Sequence, residues 1–104
     1  MSVVRTTASG NYLAGLSAQR RVRAVEVEVS GNGWYGIESW DGQLRGSIAL
    51  RSSTVAGNGS PDLGSSDLGS SDLVSGRRPR LVDTSCGTSR VAYSGDTWGV
   101  CSGD

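Results

Sequence analysis

Arg21-Val22-Arg23-Ala24-Val25-Glu26-Val27-Glu28-Val29-Ser30-Gly31-Asn32-Gly33 decides how this chain is read. Val25, Val27 and Val29 alternate with Glu26 and Glu28. A period of two puts β-branched side chains on one face and charge on the other, which predicts a half-buried strand. Val22 and Ala24 follow the opposite parity, so a bulge near Ala24 is expected to join the two halves. Ser30 to Gly33 tolerate positive φ and predict a hairpin turn.

The next run, Trp34-Tyr35-Gly36-Ile37-Glu38-Ser39-Trp40, is rich in aromatics, and Asp41-Gly42 behind it is a strong two-residue hairpin signal. Leu44, Gly46, Ile48 and Leu50 then alternate with Arg45, Ser47, Ala49 and Arg51. Residues 21–51 therefore predict a three-stranded antiparallel meander. Gly31-Asn32-Gly33-Trp34-Tyr35-Gly36 matches the spacing G-x-G-x-x-G, yet strand-like aromatics follow where a phosphate-binding loop needs a helix start. We read it as a glycine-rich turn.

The flanks extend the β pattern. Residues 2–8 are strand-like, Ser9-Gly10-Asn11 reads as a turn, and residues 12–19 suit either a short helix capped by Asn11 or another strand. Gly15 costs the helix about 1 kcal/mol relative to Ala. Residues 80–83 suit a short strand. Residues 89–93 and 97–101 flank Ser94-Gly95-Asp96 and predict a hairpin, with Cys86 and Cys101 on either side. A Cys86–Cys101 disulfide across its base is within reach, and we favour it over two buried thiols because a thin core needs the staple. The apolar fraction is 36%, so the core must be thin, and a bridge or a neighbouring subunit would complete it.

The middle differs in kind. Ser60-Pro61-Asp62-Leu63-Gly64, Ser65-Ser66-Asp67-Leu68-Gly69 and Ser70-Ser71-Asp72-Leu73-Val74 repeat with a period of five. The three units resemble the pentapeptide-repeat family, whose units carry a small residue, then Asp or Asn, then Leu, and coil into a square β-helix. The resemblance covers residues 60–74 and implies one solenoid-like rung docked on the sheet or on a partner. Composition alone gives a flexible serine- and glycine-rich loop. The expected fold is a single all-β domain over residues 1–104, an antiparallel sandwich or partly open barrel, with 52–79 a flexible repeat-bearing loop.

Chemistry is limited by what the chain lacks. All ten cations are Arg, ten acids balance them, and there is no His and no Lys. Ser-His-Asp, Ser-Lys and Cys-His nucleophile systems cannot be built, and two Cys alone do not complete a zinc tetrahedron. Asp62, Asp67 and Asp72 do not match the spacing of an EF-hand loop. The expectation is a non-enzyme with no catalytic residues, no metal and no cofactor.

Two groups remain as contact candidates. Arg20, Arg21, Arg23 and Arg77, Arg78, Arg80 form two clusters suited to partner contacts, because a guanidinium fork matches carboxylate and phosphate. Trp34, Tyr35, Glu38, Trp40 and Asp41 form an aromatic and carboxylate patch of the kind that binds sugars. The leading reading is a structural assembly protein. It would contact copies of itself or other protein subunits, as a decoration, tail or head–tail component of a phage virion. A carbohydrate-binding module on the aromatic patch is the alternative, and an arginine-mediated nucleic-acid binder the weaker one. No apolar run spans a bilayer and the N-terminus lacks a signal-peptide layout, so a virion or extracellular location without membrane contact is expected.

Overall fold

A computed structural model describes residues 1–39, 46–59, 71–92, 94 and 96–104. Twelve strands are found among them: β1 (Ser2–Val4), β2 (Thr7–Ser9), β3 (Ala14–Ala18), β4 (Arg21–Val25), β5 (Glu28–Ser30), β6 (Tyr35–Ser39), β7 (Ser47–Arg51), β8 (Thr54–Val55), β9 (Ser71–Ser75), β10 (Arg80–Val82), β11 (Ser85–Cys86) and β12 (Ser89–Val91). No helix occurs among the described residues.

Every third strand joins the same sheet. The orders are β1-β4-β7-β10, β2-β5-β8-β11 and β3-β6-β9-β12, and each pairing is parallel. The chain thus winds through four coils of three short strands, a three-sided parallel β-solenoid. The all-β expectation holds. The antiparallel sandwich or barrel does not, because no described strand pairs with its neighbour in sequence.

The local reason is a corner after each strand of the first sheet. Arg5, Glu26, Ser52 and Asp83 have φ of 49°, 54°, 51° and 48° and fall at the same place in successive coils. The parity change expected to be a bulge near Ala24 is this corner: β4 ends at Val25, Glu26 turns the chain, and β5 begins at Glu28. At three of these four corners the hydroxyl of the following residue closes the turn, Thr6 to Val4 O at 3.0 Å, Ser53 to Arg51 O at 2.8 Å and Thr84 to Val82 O at 2.8 Å.

A second corner carries Gly10, Gly31 and Gly57 with φ of 69°, 65° and 71°, each followed by Asn. Positive φ at Gly31 agrees with the expected turn, but the turn leads into the next sheet and no hairpin forms there. The asparagines stack. Asn32 Oδ1 accepts from Asn11 N and Nδ2 at 3.0 and 2.9 Å, and Asn32 Nδ2 donates to Ala8 O, Ser30 O and Asn58 Oδ1 at 3.1, 3.2 and 2.8 Å. Asn58 N and Nδ2 donate to Asp72 Oδ1 at 3.0 and 2.8 Å, and Thr88 N donates to Asp72 Oδ2 at 2.9 Å. A buried polar group is tolerated only with partners. This ladder supplies them for Asn32 and Asp72, 1% and 3% exposed.

The interior is a set of columns. Val3, Ala24, Leu50 and Leu81 stack in one sheet, Ala8, Val29, Val55 and Cys86 in the next, and Leu16, Ile37 and Leu73 in the third. Full burial of a Val, Leu or Ile contributes about 1.5–3 kcal/mol, and Val22, Val29, Ile37, Ile48, Val55 and Leu73 are at most 1% exposed. Glycine is forced at Gly36, where a Cβ would stand 2.6 Å from Asp72 O and 2.7 Å from Val55 Cγ1.

Several expectations change accordingly. The meander over 21–51 is replaced by parallel pairing of β4 with β7, while β6 pairs with β3 and β9. Residues 14–18 are strand, so the helix option falls. The predicted loop 52–79 holds β8 and the wholly buried β9. β9 contains most of the third pentapeptide unit, so that unit is part of a coil. Residues 60–70, with the first two units, lie outside the described residues, as does Asp41-Gly42. The coils have three sides and unequal lengths, unlike the square helix that the resemblance implied.

The last coil is covered by the chain that follows it. Cys86 and Cys101 form a disulfide with Cα atoms 5.0 Å apart, as expected. Among the described residues the hairpin expected around it does not form: β12 pairs with β9, and Val100 and Cys101 pack against the core beside the last coil. Ser102 N donates to Cys86 O and Gly103 N to Gly87 O, at 3.1 and 2.6 Å. Trp98 Nε1 donates to Ser75 O at 3.3 Å. The Asp104 carboxylate accepts from Ser89 N, Ser89 Oγ, Val100 N and Cys101 N. Burial would raise the Asp104 carboxyl, but hydrogen bonds from Ser89, Cys101 and Thr97 outweigh it and hold it below its ordinary value.

Candidate functional site

Side chains alternate along β4, β7 and β10, so every second residue points outward. Register then stacks the outward positions. Ser2, Arg23, Ala49 and Arg80 form one column, Arg21 and Ser47 a second, and Val4, Val25, Arg51 and Val82 a third. Arg77 N donates to Gly46 O at 2.8 Å, which brings Arg77 and Arg78 beside Ser47 as the chain enters β10. The two arginine clusters, more than fifty residues apart in sequence, thus meet on one sheet.

A groove of about 320 Å³ runs over β7 between them. Its floor is Ser47 and Ala49, one wall is Arg21 and Arg23, and the other is Arg77, Arg78 and Arg80. Neighbouring strands are about 4.8 Å apart, so the wall backbones of β4 and β10 stand about 10 Å apart. The groove continues past Arg51 between Val25 and Val82, 36% and 48% exposed. All these arginines are exposed, and none has an ion-pair partner among the described residues. No acidic residue occurs on β1, β4, β7 or β10. The ion pair found among the described residues is Arg5 with Glu26 at 3.5 Å, at the neighbouring corner.

Among the described residues, charge is therefore segregated in space. An exposed guanidinium without a carboxylate neighbour keeps its five donors available for an anion. Arg20 precedes β4, where its carbonyl accepts from Ser47 N at 2.7 Å, and it does not line the groove. Arg51 lies outside both sequence clusters. Only the register of β4, β7 and β10 adds it.

The aromatic patch is partly described. Trp34 and Tyr35 meet edge to face with centroids 6.1 Å apart, and both are half-buried. Burial raises the Tyr35 hydroxyl, and nearby Glu38 raises it further. Burial also raises the Glu38 carboxyl. Trp34 Nε1 is buried without an acceptor among the described residues. Glu38 stacks between Ser17 and Val74. Trp40 and Asp41 lie outside the described residues. No group of three His, Cys, Asp or Glu able to hold a metal ion occurs among the described residues. No described helix is long and apolar enough to cross a membrane.

Fold and site together define a short β-solenoid with a basic face on which no described residue is acidic. Comparison with known proteins finds no matching family model, no matching curated protein and no matching solved structure.

Proposed function

We propose that this chain is a non-enzymatic structural protein that works by contact, its arginine face docking it onto an anionic partner within a larger assembly. The carrying observation is the convergence of Arg21, Arg23, Arg77, Arg78 and Arg80 on a surface with no described acid. A solenoid of paired coils, closed at one end by a disulfide-held cap, is a stiff platform for such a face. The sequence, with neither His nor Lys, favours contact over catalysis. The Cys86–Cys101 bridge suits an oxidising, extracellular setting. Small size and the arginine-only composition favour a virion component, as a decoration, tail or head–tail subunit.

Cation exchange at pH 7 and low salt tests the reading. A protein of zero net charge flows through unless its cations are segregated. The wild-type protein is expected to be retained and to elute with salt, and Arg23→Glu/Arg80→Glu to pass through. Flow-through of the wild type, or equal retention of the variant, refutes the arginine face as the working surface.

A further inference from the structure

Building on that reading of the arginine face, we infer that its groove seats a single extended chain of an acidic polysaccharide. The backbones that carry the walls are about 10 Å apart and the floor residues, Ser47 and Ala49, are small. A cleft of that width over a flat floor admits one chain and excludes a duplex. Arg21 and Arg23 stand two residues apart along one wall, about 6.7 Å, so charge repeats in the direction of the groove.

Three observations select the class of chain. Among the described residues no aromatic side chain lines the groove, so these offer no platform for nucleic-acid bases, whose stacking carries single-strand binding. β7 is already hydrogen-bonded on both sides by β4 and β10, so its backbone is closed to an extended peptide seeking a strand partner. The groove also ends in apolar shoulders, Val25 and Val82, beside Arg51. A glycan with charged groups combines what these surfaces match. Its carboxylates or sulfates take the guanidinium forks, its hydroxyls reach Ser47, and its C–H faces rest on valine.

Binding of the full chain to labelled oligogalacturonate and to a heparin oligosaccharide tests this, with oligo(dT) and poly-Glu as rival ligands. Ala49→Trp fills the floor while leaving every arginine in place, and Ser47→Tyr is a second filler should the first fail to fold by circular dichroism. The wild type is expected to bind at least one glycan more tightly than either rival. Each filler is expected to weaken glycan binding about tenfold or more while remaining on the cation exchanger. The two glycans separate carboxylate from sulfate recognition. Wild-type-like glycan affinity in a folded filler overturns the seating. Equal or tighter binding of oligo(dT) or poly-Glu overturns the ligand class, as does binding of neither glycan. Loss of exchanger retention by the wild type instead refutes the arginine face itself.

Discussion

Replacing Asn32 by Ala tests the polar ladder that sets the second corner. The side chain makes five hydrogen bonds, to Asn11 N and Nδ2, Ala8 O, Ser30 O and Asn58 Oδ1. Asn11 is exposed, so water replaces the two bonds on that side. The three on the inner side have no such substitute, because Asn32 is 1% exposed. At about 1 kcal/mol net for each, the loss is roughly 3 kcal/mol. For a domain of this size that lowers Tm by roughly 15 °C. Urea unfolding followed by tryptophan fluorescence gives the free energy directly, with Asn11→Ala as the control at the exposed end of the ladder. The control is expected to lose under about 1 kcal/mol. If Asn32→Ala unfolds within about 0.5 kcal/mol of wild type, or the control loses as much, the ladder does not hold the corner.

Other perturbations read separate parts of the fold. Gly36→Ala forces a Cβ to 2.6 Å from Asp72 O and is expected to cost about 1–3 kcal/mol in the same assay. Cys86→Ser/Cys101→Ser opens a closed loop with a sequence separation of 15 and is expected to cost about 3 kcal/mol by thermal unfolding. The Asp104 carboxyl is held below its ordinary value, so its stabilisation is present above the unfolded-state pKa and fades as pH falls through the folded one. Asp104→Asn should flatten the acid side of a stability profile against pH. Glu38 has the opposite sign: its raised pKa means that stability is lost as pH rises through the folded value, and Glu38→Gln should remove that loss.

Much of the local structure is legible in the sequence, while the pairing is not. Val25, Val27 and Val29 alternate as a strand does, but alternation is the same whether the partner strand is antiparallel and adjacent or parallel and one coil away. Asn32 looks like a hairpin residue because its glycine neighbours tolerate positive φ; its ladder partners, Asn11 and Asn58, are 21 and 26 residues distant. The dipeptides Gly10-Asn11, Gly31-Asn32 and Gly57-Asn58 carry the missing signal. Unequal spacing conceals it, since insertions at other corners leave the stack unchanged. The disulfide is readable because two cysteines permit one pairing. The arginine clusters are readable as clusters, but only the register across β7 makes them one face.

In a stack where each coil touches only its neighbours, cohesion is a chain of links, and the weakest terminal link parts first. The last coil is clamped by the bridge and by Asp104, whereas β1, β2 and β3 pair on one side only among the described residues. Amide exchange should therefore run as a gradient, fastest in the first coil and slowest toward the clamped end. Arg21, Arg23, Arg77, Arg78 and Arg80 all belong to the second and later coils. The molecule can peel at its loose end and leave the arginine groove intact.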